Sequence, residues 1–417
     1  MENKITSAYS NCARYLLYCL LIFSPLARGL VHPWHKTVIF ILSLCILAIL
    51  LLERGITGKP AFYKTKFNVT IGILFLFFLI VFLFSISKPD STEAAALFLS
   101  YLVIFYATVY CIRTRKDQRE LIYVICAIGL LLIIIGFFKY LGFVLPPWDY
   151  DDLNASMQFI TGTYGNHNHF AGFLEMVIPI TLVLFLSRAR RGLVWGALFS
   201  FVIVLVACHI LTLSRGGWLS LFASLCFMTV VLLLQKDFKN KTLLILVFSS
   251  CIGIVFFVLS GSGLFERALS LSDEETVMEM SGRTIAWKGT IDVIKDYPFL
   301  GTGPGTFTTI FPKYQPPGIM GRFYHAHNDY LQFISELGIM FVPLICFILF
   351  SFFTIGFKKI DSNSRQISSF TLGAMTGIVA ILVHSFVDFN LHIPANAILF
   401  TVLAAIVIGG PRAVIKN

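Results

Sequence analysis

Charge is scarce in this chain. Asp, Glu, Lys and Arg make up 13% of its 417 residues, where an ordinary soluble domain carries roughly 25%. With 57% hydrophobic residues, that shortage excludes a soluble globular class. The polar connecting segments contain no cysteine. Cys12, Cys19, Cys45, Cys111, Cys126, Cys208, Cys226, Cys251 and Cys346 all fall in apolar stretches, which excludes a disulfide framework and a cysteine metal spacing. There is no internal repeat and no low-complexity linker. A dinucleotide fingerprint is also missing. Gly301-Thr302-Gly303-Pro304-Gly305 contains a proline and has no βαβ unit around it. The first apolar stretch follows Arg14 and ends Pro25-Leu26-Ala27-Arg28. That end lacks a small-x-small cleavage pattern, so the stretch reads as a retained helix.

What the chain does have is long apolar runs. Windows of about 20 residues give twelve candidate spans near 12–31, 37–53, 68–87, 94–112, 121–143, 169–187, 193–213, 216–235, 243–261, 330–356, 367–388 and 393–410. This threading puts 21 of the 32 Lys and Arg on the side of the N-terminus. They include Arg54, Lys59, Lys64, Lys66, Arg113, Arg115, Lys116, Arg119, Arg188, Arg190 and Arg191. Basic residues stay inside, so both termini are expected in the cytoplasm. The net charge of +10 is thereby a topology signal, and nucleic acid is not an expected partner. The expectation is an all-α polytopic membrane protein, one membrane domain over 1–417. Membrane lipids surround it, and segments 144–168 and 262–329 lie outside.

Of the two outer segments, the first is acidic and aromatic, running from Pro146-Pro147-Trp148-Asp149-Tyr150-Asp151-Asp152 to His169. The second, 262–329, starts acidic with Asp273, Glu274, Glu275 and Glu279. Its spacing predicts a helix from about Gly282 to Tyr297 with Trp287, Ile291 and Ile294 on one face and Lys288, Asp292 and Lys295 on another. That amphipathic period suits a helix lying on the membrane surface or over the bundle. Arg283, one turn before Trp287, falls toward the apolar side. Pro298 ends the helix, and the glycine-rich turn follows.

Several polar groups stand at the ends of these spans. Arg215, in Ser214-Arg215-Gly216-Gly217, lies between two spans with almost no loop. It either pairs with a carboxylate such as Glu175 or Glu336, or clamps an anion, since a guanidinium matches phosphate bidentately. His325-Ala326-His327-Asn328-Asp329-Tyr330-Leu331-Gln332 ends the long outer segment. Asp329 and Gln332 have the spacing of a capping box, which leaves His327 just outside the helix. There it is either an interfacial residue bonded to loop backbone or a base able to take a proton from a hydroxyl. Asn166-His167-Asn168-His169 and His384-Ser385-Phe386-Val387-Asp388 through His392 and Pro394 face the same compartment, which favours a shared outer pocket. Asp149-x-Asp151 is a pattern that holds divalent ions in some glycosyltransferases, and acidic loops also contain it by chance. No zinc spacing links the histidines, and no cofactor is expected.

At these residues the chain resembles the superfamily of O-antigen ligases and O-antigen polymerases, bacterial membrane glycosyltransferases. Four motifs carry the resemblance: Ser214-Arg215-Gly216, the segment from Gly282-Arg283 through Trp287 to Tyr297-Pro298 and Gly305, His327-Asn328-Asp329-Tyr330-Leu331 with Glu336-Leu337-Gly338, and His384-Ser385 to Asp388 with Pro394. They span roughly 160–400. The resemblance implies a GT-C-like fold of about twelve transmembrane helices with one long periplasmic loop. The donor it implies is a glycan on undecaprenyl pyrophosphate, and the acceptor a lipid A-core, glycan or protein hydroxyl. Arg215 and Arg283 then bind the pyrophosphate, His327 activates the acceptor, and His325, Asn328 and Asp388 support it. The implied reaction is metal-independent and inverting, at the periplasmic face of the inner membrane, by a ligase or alternatively a polymerase. A transporter of lipid-linked glycans is a further alternative, and its paired repeats and midplane broken helices are not found in the sequence.

Overall fold

The computed structural model describes residues 2–58, 65–143, 159–187, 192–235, 274–317, 322–362 and 364–411, and the side chains of all of these except 2–7, 33 and 274–281. Among the described residues every regular element is helical. The helices are α1 (Glu2–Leu26), α2 (Pro33–Thr57), α3 (Asn68–Leu83), α4 (Lys88–Cys111), α5 (Arg115–Tyr140), α6 (His167–Ser187), α7 (Leu193–Leu211), α8 (Arg215–Leu234), α9 (Glu274–Asp296), α10 (Phe307–Ile310), α11 (Asp329–Leu337), α12 (Phe341–Ile360), α13 (Arg365–His384) and α14 (Pro394–Ile408). Short 3₁₀ turns cover Arg28–Leu30, Phe311–Lys313 and Asn390–His392.

Eight of these helices are long and apolar enough to cross a membrane: α2, α4 to α8, α12 and α13. The apolar helices α3 and α14 are shorter. This is a polytopic membrane protein. The expected spans other than 243–261 and 330–356 overlap described helices, and 243–261 and Asp149–Asp152 lie outside the described residues.

Helix α13 forms the middle of the bundle, packed chiefly on α6 and α8. Inside a bilayer there is no water to drive helices together, so association rests on close packing, and small residues permit it. Gly373 and Gly377, four apart on α13, supply the contact. A Cβ built on Gly373 would stand 2.6 Å from Val183 Cγ2, and one on Gly377 would stand 2.9 Å from the Met176 carbonyl oxygen. The partner α6 is buried from Asn168 to Leu186, as a helix apolar all round must be.

Three expectations are corrected by the tertiary structure. The apolar run 330–356 is two helices, α11 and α12, broken at Gly338. Gly338 has φ 77°, and a Cβ there would stand 2.0 Å from the Phe299 carbonyl oxygen. Backbone of 298–303 fills that space, through Thr302 N–H to Ser335 O (3.0 Å), Gly303 N–H to Glu336 O (2.9 Å) and Ile339 N–H to Pro298 O (2.7 Å). Second, α9 begins at Glu274, earlier than Gly282, and its buried face is Ala286, Gly289, Thr290 and Val293. Ile291 is 42% exposed, and Trp287 and Ile294 are half-buried. The reason is again close approach, since the ring of Phe311 would sit 2.8 Å from a Cβ on Gly289. Third, Asn328 caps α11, its Oδ1 accepting from Leu331 N–H at 3.0 Å. Asp329 and Gln332 are turned to other partners.

Candidate active site

Two short turns position Arg215 and His327, and each uses a left-handed residue other than glycine. Leu213 (φ 55°) closes the three-residue link from α7 to α8, and His327 (φ 51°) precedes α11. Such conformations are uncommon and persist where surrounding contacts hold them. At the first turn, Ser214 caps α8 by accepting from Gly217 N–H at 3.1 Å, so Arg215 is the first helical residue. At the second turn, Trp287 Nε1 on α9 donates to the His327 carbonyl oxygen at 3.3 Å.

A buried carboxylate organises His327. Asp388, 1% exposed, has its Oδ1 at 3.8 Å from His327 Nδ1 and also at 3.8 Å from His169 Nε2. These are ion-pair separations, longer than hydrogen bonds. Its own hydrogen bond comes from Phe389 N–H at 2.8 Å. Burial alone would push the Asp388 carboxyl up, but His327, His169 and His384 hold it well below the usual carboxylate range. The ring of Phe389 sits among three histidines: His325 stacks on it at 4.1 Å, while His169 and His327 approach edge-on at 4.6 and 4.9 Å.

Asp329 ties this turn to the segment after α13. Buried completely, it accepts from Ser385 Oγ (2.7 Å), Leu391 N–H (3.0 Å) and His392 Nδ1 (2.5 Å). Its own N–H is directed at the carbonyls of Ser385 (2.9 Å) and Asp388 (3.2 Å). Asn328 Nδ2 adds a bond to Phe386 O at 2.8 Å, and Tyr330 Oη one to Leu382 O at 2.6 Å. Burial would lower the His392 imidazole, but the bond and charge of Asp329, helped by Glu336, raise it.

Gln332 and Glu336 hold the other flank. Gln332 Oε1 accepts from Ala326 N–H (3.1 Å) and lies 3.3 Å from His325 Nδ1. Burial between Phe389 and His392 drives the His325 imidazole well below its usual value. Glu336 accepts from Gly305 N–H (2.7 Å), Phe307 N–H (3.3 Å) and Gln332 Nε2 (3.2 Å), and burial raises its carboxyl.

Beneath Arg215 lies a third set. Glu175 on α6 accepts from Ser220 Oγ at 2.6 Å and lies 3.1 and 3.2 Å from His384 Nδ1. Both Glu175 and His384 are essentially inaccessible. The His384 ring abuts the first turn of α8, where a Cβ on Gly216 would be 3.1 Å from Nε2. Arg283 on α9 is close enough for its charge to act on His384.

The structure brings several of the expected site residues together. His327, His325, Asn328 and Asp388 meet around Phe389 and α11, and the His384 ring lies against Gly216, next in sequence to Arg215, within reach of the charge of Arg283. Among the described residues, no three His, Cys, Asp or Glu side chains are arranged to hold a metal ion. The candidates Asp149 and Asp151 lie outside the described residues. The sequence offered Glu175 as a partner for Arg215, His384 as part of a motif, His169 and His392 as helix-end polar groups, and Asp329 as a cap. Their signal was an ionisable residue in or beside an apolar span, which does not say what it meets.

Comparison with known proteins adds two findings. The O-antigen ligase family model matches residues 199–348, which include Arg215, Arg283 and His327. The exopolysaccharide production protein ExoQ of Rhizobium meliloti is 22% identical over 352 residues, covering 82% of this chain and 75% of that protein. The resemblance of this membrane protein to the O-antigen ligase and O-antigen polymerase superfamily is thus borne out, over the segment that carries those three residues.

Proposed function

We propose that the chain transfers a glycan from undecaprenyl pyrophosphate to an acceptor hydroxyl at the periplasmic face of the bacterial inner membrane, as a ligase-type enzyme of surface polysaccharide synthesis. The observation that carries this reading is the turn at His327, with Asp388 behind its Nδ1 and Phe389 against its ring. Asp388 favours the proton on Nδ1, which leaves Nε2 as the basic nitrogen. The half-exposed His327, with its side chain 34% accessible, can meet an acceptor. Nε2 takes the proton of the acceptor hydroxyl as its oxygen forms a bond to the anomeric carbon. The carbon–oxygen bond to pyrophosphate breaks on the opposite face, inverting the centre, and the electron pair leaves on the pyrophosphate oxygen. Arg215 and Arg283 stabilise that charge, and this is the part of the barrier that electrostatics lowers most. His325 and Asn328 shape the turn, and no metal enters the scheme.

A polymerase that extends the glycan itself is a second reading, favoured by the similarity to a protein named for exopolysaccharide production. Transfer in reconstituted membranes from a purified undecaprenyl-pyrophosphate glycan, with and without EDTA, tests both. Transfer that survives EDTA and collapses in His327→Ala and Arg215→Ala is expected, and product size separates ligase from polymerase. Loss of transfer in EDTA moves the chemistry to Asp149 and Asp151. Lipid that crosses the bilayer with no glycan joined favours a transporter.

A further inference from the structure

Glu175 and His384 pose a question that the transfer scheme leaves open. They come from helices 209 residues apart in the chain and meet in the interior of the bundle. Burying a carboxylate and an imidazole costs more than burying an apolar pair of the same shape, and ionisable groups in membrane spans mark function. A lock between α6 and α13 does not require them, since Gly373 and Gly377 already join those helices.

The orientation of the ring suggests what the pair is for. Glu175 takes the Nδ1 side of His384, and Ser220 Oγ satisfies the second carboxylate oxygen. Nε2 is thereby turned to the backbone at Gly216, directly after Arg215. That backbone is the start of a 20-residue helix, whose first N–H groups and dipole favour an anion. Arg283 acts on the same imidazole from α9. His384 therefore stands between the start of α8 and the charge of Arg283.

We propose that His384 is a third diphosphate-binding group of the donor site, held by Glu175 and Ser220 so that Nε2–H donates to a non-bridging phosphate oxygen. This rests on the transferase reading above. No proton is transferred in the step: the glycosyl carbon–oxygen bond breaks, its electron pair leaves on the diphosphate, and the Nε2–H bond strengthens as that charge grows. The imidazole must be protonated to donate from Nε2 while Nδ1 faces Glu175, so donor binding is coupled to proton uptake. The charged and titratable groups facing His384 are Glu175 and His169 on α6, His209 on α7, Arg283 on α9 and Asp388 after α13, and Arg215 is next in sequence to the Gly216 that the His384 ring abuts.

The test is equilibrium binding of undecaprenyl pyrophosphate to the full chain in nanodiscs, alongside glycan transfer and thermal melting. His384→Ala is expected to weaken binding ~10-fold to ~100-fold, the range of one charge-assisted hydrogen bond, with acceptor KM unchanged. Wild-type affinity falls as pH rises through the imidazole titration. That dependence is flat in His384→Gln and displaced to lower pH in Glu175→Gln, a response that a merely structural pair would not give. If His384→Ala does not fold, Gly216→Ala decides: its methyl would stand 2.7 Å from Val387 Cγ2 and 3.1 Å from His384 Nε2, blocking the approach to that nitrogen, with the same expected loss. Wild-type binding that is unchanged in His384→Ala or, where that variant does not fold, in Gly216→Ala overturns the assignment and leaves the transferase reading intact. A wild-type chain that neither binds undecaprenyl pyrophosphate nor transfers glycan overturns both.

Discussion

Replacing Asp329 by Asn is a test of how the His327 turn is held. The carboxylate is fully buried and accepts three bonds, from Ser385 Oγ, Leu391 N–H and His392 Nδ1. An amide keeps the shape but has one acceptor oxygen, so at least one of those donors faces an N–H instead. A buried donor without its acceptor costs about 1–3 kcal/mol, and the contact with a charged imidazole is at the upper end of that range. The expected loss is about 2–4 kcal/mol, less than the sum of three bonds because the site relaxes as a unit. The sign with pH follows from His392. Asp329 raises its pKa above the 6.5 of an unperturbed histidine. The stabilisation is therefore fully present below pH 6.5 and is lost as pH rises through the raised value. The assay is the rate of thermal inactivation in lipid nanodiscs at fixed temperature, since large membrane proteins unfold irreversibly and a rate is the proper measure. Asp329→Asn should unfold faster than wild type at pH 6, with a smaller difference at pH 9. Equal rates at pH 6 would refute the assignment of Asp329 as the tie between α11 and the segment after α13.

Three further outcomes are expected. Gly377→Ala places a methyl 2.9 Å from the Met176 carbonyl, and forcing α6 and α13 apart should cost about 1–3 kcal/mol, read as a lower melting temperature beside an unchanged Gly72→Ala control, where a Cβ meets nothing within 4 Å. His327→Gln retains a polar side chain but no base, so transfer should fall ~10²-fold to ~10⁴-fold at unchanged melting temperature and donor affinity. Because burial holds His325 below 6.5, its contribution to stability is present at neutral pH and declines as pH falls below 6.5. His325→Phe should therefore melt with less acid sensitivity between pH 7 and pH 5, and an identical slope in variant and wild type would contradict the burial.

Apolar runs are legible in sequence because a bilayer leaves the backbone no partner but its own helix. That is why α2, α4 to α8 and α13 fall where hydropathy puts them. The chain's shortage of charge fixed its class, and Ser214-Arg215-Gly216 and His327-Asn328-Asp329 fall at the two turns that hold the left-handed residues Leu213 and His327. The packing of Gly373 and Gly377 on α6 was not read from the sequence, because nothing in it names α6 as their partner. What only the tertiary structure decided is which groups meet. Asp388 stands between His327 and His169, His392 reaches Asp329, and Glu175 takes His384, because α13 is packed on α6 and α8 and the segment after it folds back over α11. Other contacts, the backbone of 298–303 at Gly338 and the Phe311 ring at Gly289, broke the run 330–356 and turned Ala286, Gly289, Thr290 and Val293 of α9 inward in place of its larger apolar residues. Periodicity within one helix reports that helix's own faces. Where a neighbour's backbone or ring comes within 3 Å, the fit to that neighbour decides, and no single segment of sequence contains it.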